Sequence, residues 1–359
     1  MKCFFNIKNV FCFSLLLNVA MLLGVFARCS KDNKEPEKST LPYEITMTTA
    51  KKGVVSIALC GSKMAVIFWG DGIPNDTVKF PNSDMIWRKH TYNDSIVRII
   101  TIRCDNVTNL CSYDNQLVFL DVSKNERLNE LYCFNNQLTT LDVSKNTNLE
   151  VLSCYDNQLT TLNISKNLAL ENLNCRYNQI SELNVANNLA LEVLWCSNNQ
   201  LTDLDVSKNT LLQDLRCGSN LLTALDVSKN IKLKFLNCQY TQLKTIDISK
   251  NTALTELWCR SNTQLTTLDV SKNTALKSLF CHRNQLTSLD VSKNTALTNL
   301  VVCSNQLEKT GLNDLLKVLH GNIFEGETNT IYIHGNPGTA DCNTSLAPVG
   351  WIVNTTDVW

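Results

Sequence analysis

Cysteine returns at the same place in a repeating phrase: Cys133, Cys154, Cys175, Cys196, Cys217, Cys238 and Cys259 lie 21 residues apart, and Cys281 follows after one extra residue near Thr263. A fixed period of this kind constrains the fold more than any other feature of the chain. A unit of about 20–30 residues cannot bury an apolar face alone and has to stack on its neighbours, so the chain forms a linear pile of coils. Aligning the copies on Leu128, Leu149, Leu170, Leu191, Leu212, Leu233, Leu254, Leu276 and Leu297 gives L-x-x-L-x-C-x-x-N-Q-L-T-x-L-D-V-S-K-N-x-x, with a weaker copy beginning at Val107.

In this phrase cysteine takes the third apolar position of the leucine-rich-repeat pattern L-x-x-L-x-L-x-x-N. The segment around L-x-C is expected to form one short parallel strand per coil, with its apolar residues inward and the residues between them outward. The fold class is thus a leucine-rich-repeat solenoid over residues 104–308, with 21-residue repeats and a parallel β-sheet on the concave face. A second ladder, Asn115, Asn136, Asn157, Asn178, Asn199, Asn220, Asn262, Asn284 and Asn305, is broken at Thr241. Its amides are suited to satisfying backbone groups buried where the chain turns out of the strand. Residues 107–308 resemble the repeats of bacterial internalin-type surface proteins, in the variety that carries a cysteine ladder. The resemblance implies an adhesin or recognition module, and by itself it names no ligand.

Three chemistries compete for the cysteines. Equivalent side chains on successive parallel strands point the same way, which disfavours disulfides between them. One cysteine per coil does not supply the paired spacing of a zinc site, so no metal is expected. The remaining reading is a small apolar residue filling a narrow core, with inert thiols. At the ends Ser112 and Val302 occupy the ladder slot, which turns Cys111 and Cys303 outward as the expected reactive thiols.

The flanks differ in kind. Residues 1–28, with Lys2 and Lys8 ahead of VFCFSLLLNVAMLLGVF, have the layout of a signal peptide, and residues 29–42 that of a flexible tether. Cys29, followed by Ser-Lys-Asp-Asn, resembles the lipidated cysteine of surface lipoproteins of Gram-negative anaerobes, although Arg28 departs from the small residue usual before it. The resemblance implies an exported protein anchored to the outer membrane by lipid, with secretion as the alternative. Residues 43–103 carry β-rich runs broken by Gly61 and Asp71-Gly72, and are expected to form a small antiparallel, sandwich-like unit capping the solenoid. Trp69-Gly70-Asp71-Gly72 with His90-Thr91-Tyr92 resembles small β domains of the polycystic-kidney-disease type. Asp71 and His90 fit either a site or an Asp-Gly hairpin beside a structural histidine. Residues 309–359 form the other cap, where Leu312, Leu315, Leu316 and Leu319 fall at helical spacing and TIYIHGNPG supplies a strand and a turn.

The face left for work is the set of outward strand positions, which vary from coil to coil while the inward ones repeat. Tyr113, Phe134 and Tyr155 stand on consecutive coils, with Tyr132 and Arg176 adjacent and Trp195 and Arg216 beyond. Trp258, Arg260, Phe280 and His282 form a second cluster. Aromatics beside arginine are common hot-spot chemistry at protein interfaces, and flat rings also stack on sugars, so the expected partner is a host or neighbouring-cell protein, or a glycan. Lys plus Arg and Asp plus Glu both number 33, and most lysines sit in the S-K-N turn, so nucleic acid is not expected. The chain lacks H-E-x-x-H, G-x-S-x-G, P-loop and G-x-G-x-x-G motifs, which argues against an enzyme and calls for no cofactor. The alternative to recognition is a passive envelope spacer.

Overall fold

The computed structural model describes residues 41–81, 84–321 and 328–356; the expected signal peptide, the tether up to residue 40 and Cys29 lie outside the described residues. Everything below belongs to the compact unit Leu41–Trp359.

One hydrogen-bonded sheet runs through this unit. It begins with antiparallel strands β1 (Tyr43–Thr49), β2 (Gly53–Phe68), β3 (Asp76–Phe80), β4 (Ile86–Tyr92), β5 (Arg98–Cys111) and β6 (Leu117–Asp121). Strand β2 changes register against β5 between Cys60 and Gly61 and again between Ser62 and Ala65, and its two halves pair with β4 and β3. Gly61 is required there, because a Cβ would lie 2.0 Å from the carbonyl oxygen of Asn106. Strand β5 joins the antiparallel and parallel parts of this sheet. It pairs antiparallel with β2 along most of its length, while Arg98–Cys104 also pair antiparallel with β1 and its last residues, Asn109–Cys111, also pair parallel with the first solenoid strand. The N-terminal unit therefore shares one apolar core with the first coil.

Around Asp71 the structure matches the hairpin reading. His90 lies against buried Trp69 with ring centroids 4.9 Å apart, bonds Asp71 Oδ2 at 2.6 Å and meets the Tyr92 ring edge-on. Burial pushes the Asp71 carboxyl up, but the bonds from His90 and the Ile73 N–H outweigh it and leave the group below its ordinary range.

The solenoid strands are three residues each: β7 (Glu130–Tyr132), β8 (Val151–Ser153), β9 (Asn172–Asn174), β10 (Val193–Trp195), β11 (Asp214–Arg216), β12 (Phe235–Asn237), β13 (Glu256–Trp258), β14 (Ser278–Phe280) and β15 (Asn299–Val301). Each pairs parallel with the equivalent residues one coil on, so Leu131, Leu152, Leu173 and Leu194 stand in file. That leucine file and Cys133 through Cys281 are 0% exposed. At about 1.5–3 kcal/mol per buried leucine the interior supplies the driving force, and stacking is what realises it. No disulfide forms among the described cysteines.

Two asparagine ladders hold the turns. Asn157 is typical of the first: its Nδ2 donates to the carbonyls of Cys133 and Cys154 (3.0 and 3.1 Å), and its Oδ1 accepts from Leu138 N–H at 3.0 Å. The preceding residue in each coil is left-handed, φ 51–57° from Asn135 to Ser304, which turns the chain out of the strand. At the gap, the single hydroxyl proton of Thr241 is within hydrogen-bond reach of two acceptors, Cys238 O and Asn262 Oδ1. The second ladder lies in the D-V-S-K-N turn. Asp142 Oδ1 accepts from Ser144 N–H, Val143 points inward, and Asn146 is fully buried with Nδ2 on the carbonyls of Val122 and Asn125. The same arrangement recurs through Asn294.

At the N-terminal end Asn115 bridges to Ser56 through both its amide oxygen and its amide nitrogen, joining ladder to cap. At the other end helix α1 (Lys309–Lys317) buries Leu312, Leu315 and Leu316. Strands β16 (Asn329–Tyr332) and β17 (Trp351–Asn354) then continue the parallel sheet beyond β15, separated by a 3-10 turn at Thr344–Leu346. Asn336 takes over the ladder role, bonding Val302 O and Ile333 O and accepting from Asn305 and Leu307.

The expectation of two reactive end thiols is corrected. Cys303 is 3% exposed, because the coil that carries His334 stacks beside it. Cys111 is half-buried, and burial with Glu130 nearby pushes its thiol up to about 11, away from reactivity.

Candidate recognition surface on the parallel sheet

The outward strand residues form a continuous band. Tyr113, Phe134 and Tyr155 stack face to face, with centroids 4.4 and 4.5 Å apart and planes within 9°. Such spacing follows from parallel strands about 4.8 Å apart that hold equivalent side chains in the same rotamer. Trp87 of β4 closes one end of the stack edge-on at 5.7 Å. At the other end the Arg176 guanidinium lies 5.7 Å from the Tyr155 ring and 4.6 Å from Trp195. Arg216 then lies 4.3 Å from both Trp195 and Phe235, and Phe235 leads to Trp258 (5.5 Å) and Phe280 (5.1 Å). The band thus crosses the sheet on a diagonal and joins the two clusters that the sequence separates.

Of the residues singled out from the sequence, Tyr113, Phe134, Tyr155, Arg176, Trp195, Arg216, Trp258 and Phe280 lie in the band itself. Tyr132 stands beside it, its hydroxyl bonded to Glu130 Oε2 at 3.0 Å. Arg260 turns its Nε to Gln239 Oε1 at 2.6 Å and lies over Tyr240 at 5.2 Å. All are half-buried, because the rings cover one another's faces and offer mainly their edges. Phe235 and Trp87 were missed. The signal for Phe235 was present: it lies two residues before Asn237 and shares its face.

Charge is handled unevenly along the band. Arg216 makes a forked pair with the Asp214 carboxylate at 2.9–3.2 Å. Among the described residues the Arg176 guanidinium bonds only the Asn174 side-chain oxygen, and burial together with the Arg216 charge lowers its pKa. The indole N–H groups of Trp195 and Trp258 are buried and have no partner among the described residues.

Beyond Phe280 the band ends in a cavity of about 160 Å³. Arg260, Phe280, His282, Arg283, Ser304 and His334 line it over a floor of Val301 and Cys303. Burial, then the charges of Arg260 and Arg283, hold the His282 imidazole down at about 4, so the ring is neutral at neutral pH. Among the described residues no His, Cys, Asp and Glu cluster is arranged to hold a metal ion, and no helix is long and apolar enough to cross a membrane.

Comparison with solved structures places this architecture among leucine-rich-repeat proteins. The chain is similar to the functional domain of InlJ from Listeria monocytogenes, which includes a cysteine ladder, at 31% identity over 70% of this chain, with a TM-score of 0.61. It spans 56% of that protein. It is also similar to the internalin inlF of Listeria monocytogenes, at 26% identity over 54% of this chain and 62% of that one, with a TM-score of 0.51. The leucine-rich-repeat ectodomain of the Arabidopsis thaliana receptor kinase GASSHO1/SCHENGEN3 shares the fold at 19% identity and a TM-score of 0.52, over 60% of this chain and 28% of that one. No family model matches the chain, and no curated protein matches it.

Proposed function

We propose that this chain is a non-enzymatic recognition protein that binds a partner protein on the outward face of its parallel sheet, through the band from Tyr113 to Phe280. The observation that carries the reading is the band's continuity: ring edges and guanidinium groups form one half-buried, partly apolar strip across otherwise varied coils. Interfaces draw most of their energy from such aromatic and arginine clusters. A glycan is the weaker occupant, because stacking on a sugar needs an open ring face and these faces are taken by neighbouring rings and arginines. The similarity to InlJ and inlF agrees with a surface or secreted setting. Export through residues 1–28 and lipid attachment at Cys29 complete the proposal, with the N-terminal β unit as a spacer of polycystic-kidney-disease type.

The test probes the purified full chain against an array of extracellular protein ectodomains and, in parallel, a glycan array. Specific retention of an ectodomain is expected, lost when Phe134 and Tyr155 are both changed to serine while the circular dichroism of the fold is kept. Retention that survives this double change, or binding confined to glycans, refutes the proposal. If neither array retains the chain, the passive spacer is the correct reading.

A further inference from the structure

We propose that the cavity at the C-terminal end of the band, between Arg260, Phe280 and Arg283, is a carboxylate-binding subsite that seats an acidic side chain of the partner protein. This rests on the recognition reading and gives the partner's chemistry at one point. The cavity holds about 160 Å³, roughly ten times the 10–15 Å³ that one water needs, which leaves room for a side-chain head group.

Its charge is not balanced from within. Among the described residues no carboxylate lies within ion-pair distance of Arg260, Arg283 or His282, whereas Arg216 on the same face carries Asp214. Among the described residues only the Nε of Arg260 is engaged, by Gln239, so its terminal nitrogens remain for a fork onto a carboxylate. Arg283 is exposed at a left-handed turn, φ 57°, which sets it on the cavity rim. Besides burial, the groups that perturb His282 all oppose its protonation: Arg260, Arg283 and His334. A carboxylate entering this cavity meets two permanent positive charges with an apolar wall at its back, conditions under which a charge-assisted bond is strongest. Phe280 is half-buried and tilted 57° to Trp258, a wall for a methylene stem more than a platform for a sugar ring.

The experiment is calorimetric titration of the full chain with three probes: a blocked alanine tetrapeptide carrying one glutamate, its glutamine twin, and a trimer of galacturonic acid. The glutamate peptide is expected to bind at least about tenfold more tightly than its twin, a difference of ~1.4 kcal/mol. Arg260→Gln and Arg283→Gln should each weaken it about fivefold, Arg260→Lys should recover part of the loss, and occupancy should raise the His282 pKa followed by NMR. Equal binding of the twins, no binding by the glutamate peptide at millimolar concentration, an unmoved His282, or tighter binding of the galacturonate trimer overturns the subsite. If the ectodomain found by the array still depends on Phe134 and Tyr155 but is indifferent to Arg260→Gln and Arg283→Gln, the subsite falls and the recognition surface stands.

Discussion

The two asparagine ladders provide a test in which nearly everything cancels except one hydrogen bond. Asn157 and Asn167 both lie in the third repeat of the solenoid, 8% and 0% exposed, and each donates through Nδ2 to two backbone carbonyls at 2.8–3.1 Å, Asn157 having a third, long contact of 3.4 Å to Tyr155 O that adds little. All four of those carbonyls keep a second donor when the side chain is cut to alanine: Asn136 for Cys133 O, Asn178 for Cys154 O, and backbone N–H groups for Val143 O and Asn146 O. The common loss is therefore two bonds, about 2 kcal/mol at roughly 1 kcal/mol each. The oxygens differ. Asn157 Oδ1 is the acceptor for Leu138 N–H, which is left buried and unpaired in Asn157→Ala at a cost of about 2 kcal/mol. Asn167 Oδ1 is itself buried without a partner among the described residues, so removing it returns about 1 kcal/mol. The amide cannot be turned round to avoid this, because both neighbours on its other side are acceptors. Asn157→Ala should thus cost about 4 kcal/mol and Asn167→Ala about 1 kcal/mol, before any cavity term, which is similar for both. Urea titration followed by far-ultraviolet circular dichroism, with midpoint and slope fitted separately, measures the difference. Equal losses, or a larger loss for Asn167→Ala, would show that the second ladder's oxygens are satisfied and that the reasoning is wrong.

Three further outcomes follow from the same geometry. Ladder thiols should resist Ellman's reagent at about pH 8 in the folded protein, since burial lifts Cys133, Cys175 and Cys238 to about 12, while half-buried Cys342 should react first; stoichiometric labelling of the native ladder would contradict this. His282, held at about 4 against an unfolded value near 6.5, binds its proton more readily in the unfolded chain, so stability should fall as pH drops from about 6.5 and level off below about 4. Arginine keeps its charge throughout that range, so His282→Gln should flatten this part of the pH–stability curve, and an unchanged slope would refute the assignment. Ser219 is left-handed at φ 54°, so Ser219→Val should destabilise by about 1–2 kcal/mol and Ser219→Asn should be nearly neutral; equal effects in denaturant unfolding would exclude backbone strain as the cause.

Most of the interior was legible because burial there is periodic. The L-x-x-L-x-C file and the first asparagine ladder follow from one coil read once and stacked. The second ladder was not legible, since an asparagine after Ser-Lys in a turn has the composition of solvated surface. Only stacking shows that its amide reaches back to carbonyls 21 and 24 residues earlier. The left-handed residue before each ladder asparagine left a trace only in what is missing there, because no β-branched residue occupies Asn135, Asp156, Tyr177, Asn198, Ser219, Tyr240, Ser261, Arg283 or Ser304. On the outward face, the sequence placed Tyr113, Phe134 and Tyr155 side by side, but the diagonal through Trp195, Arg216 and Phe235 depends on side-chain rotamers that couple adjacent columns. The outward course expected for Cys303 failed for a related reason: the cap adds β16 to the sheet, and the coil it brings covers a position that alternation alone leaves open.

The band also carries costs that bear on the choice between recognition and passive spacing. Two indole N–H groups are buried unpaired, each worth about 1–3 kcal/mol of lost hydrogen bonding, and Arg176 and Arg216 flank one tryptophan closely enough for their charges to oppose. None of this is needed to stack the coils, because the ladders and leucine files that do so lie on the other side of the strand. A solenoid serving only as a spacer does not need tryptophan and arginine at these outward positions, and the ring and cation–π contacts they make with one another are set against the unpaired N–H groups and opposed charges. A partner that covers the ring edges and neutralises the guanidinium groups would offset the same costs on binding. The expense is therefore located where a ligand, and not the fold, can recover it.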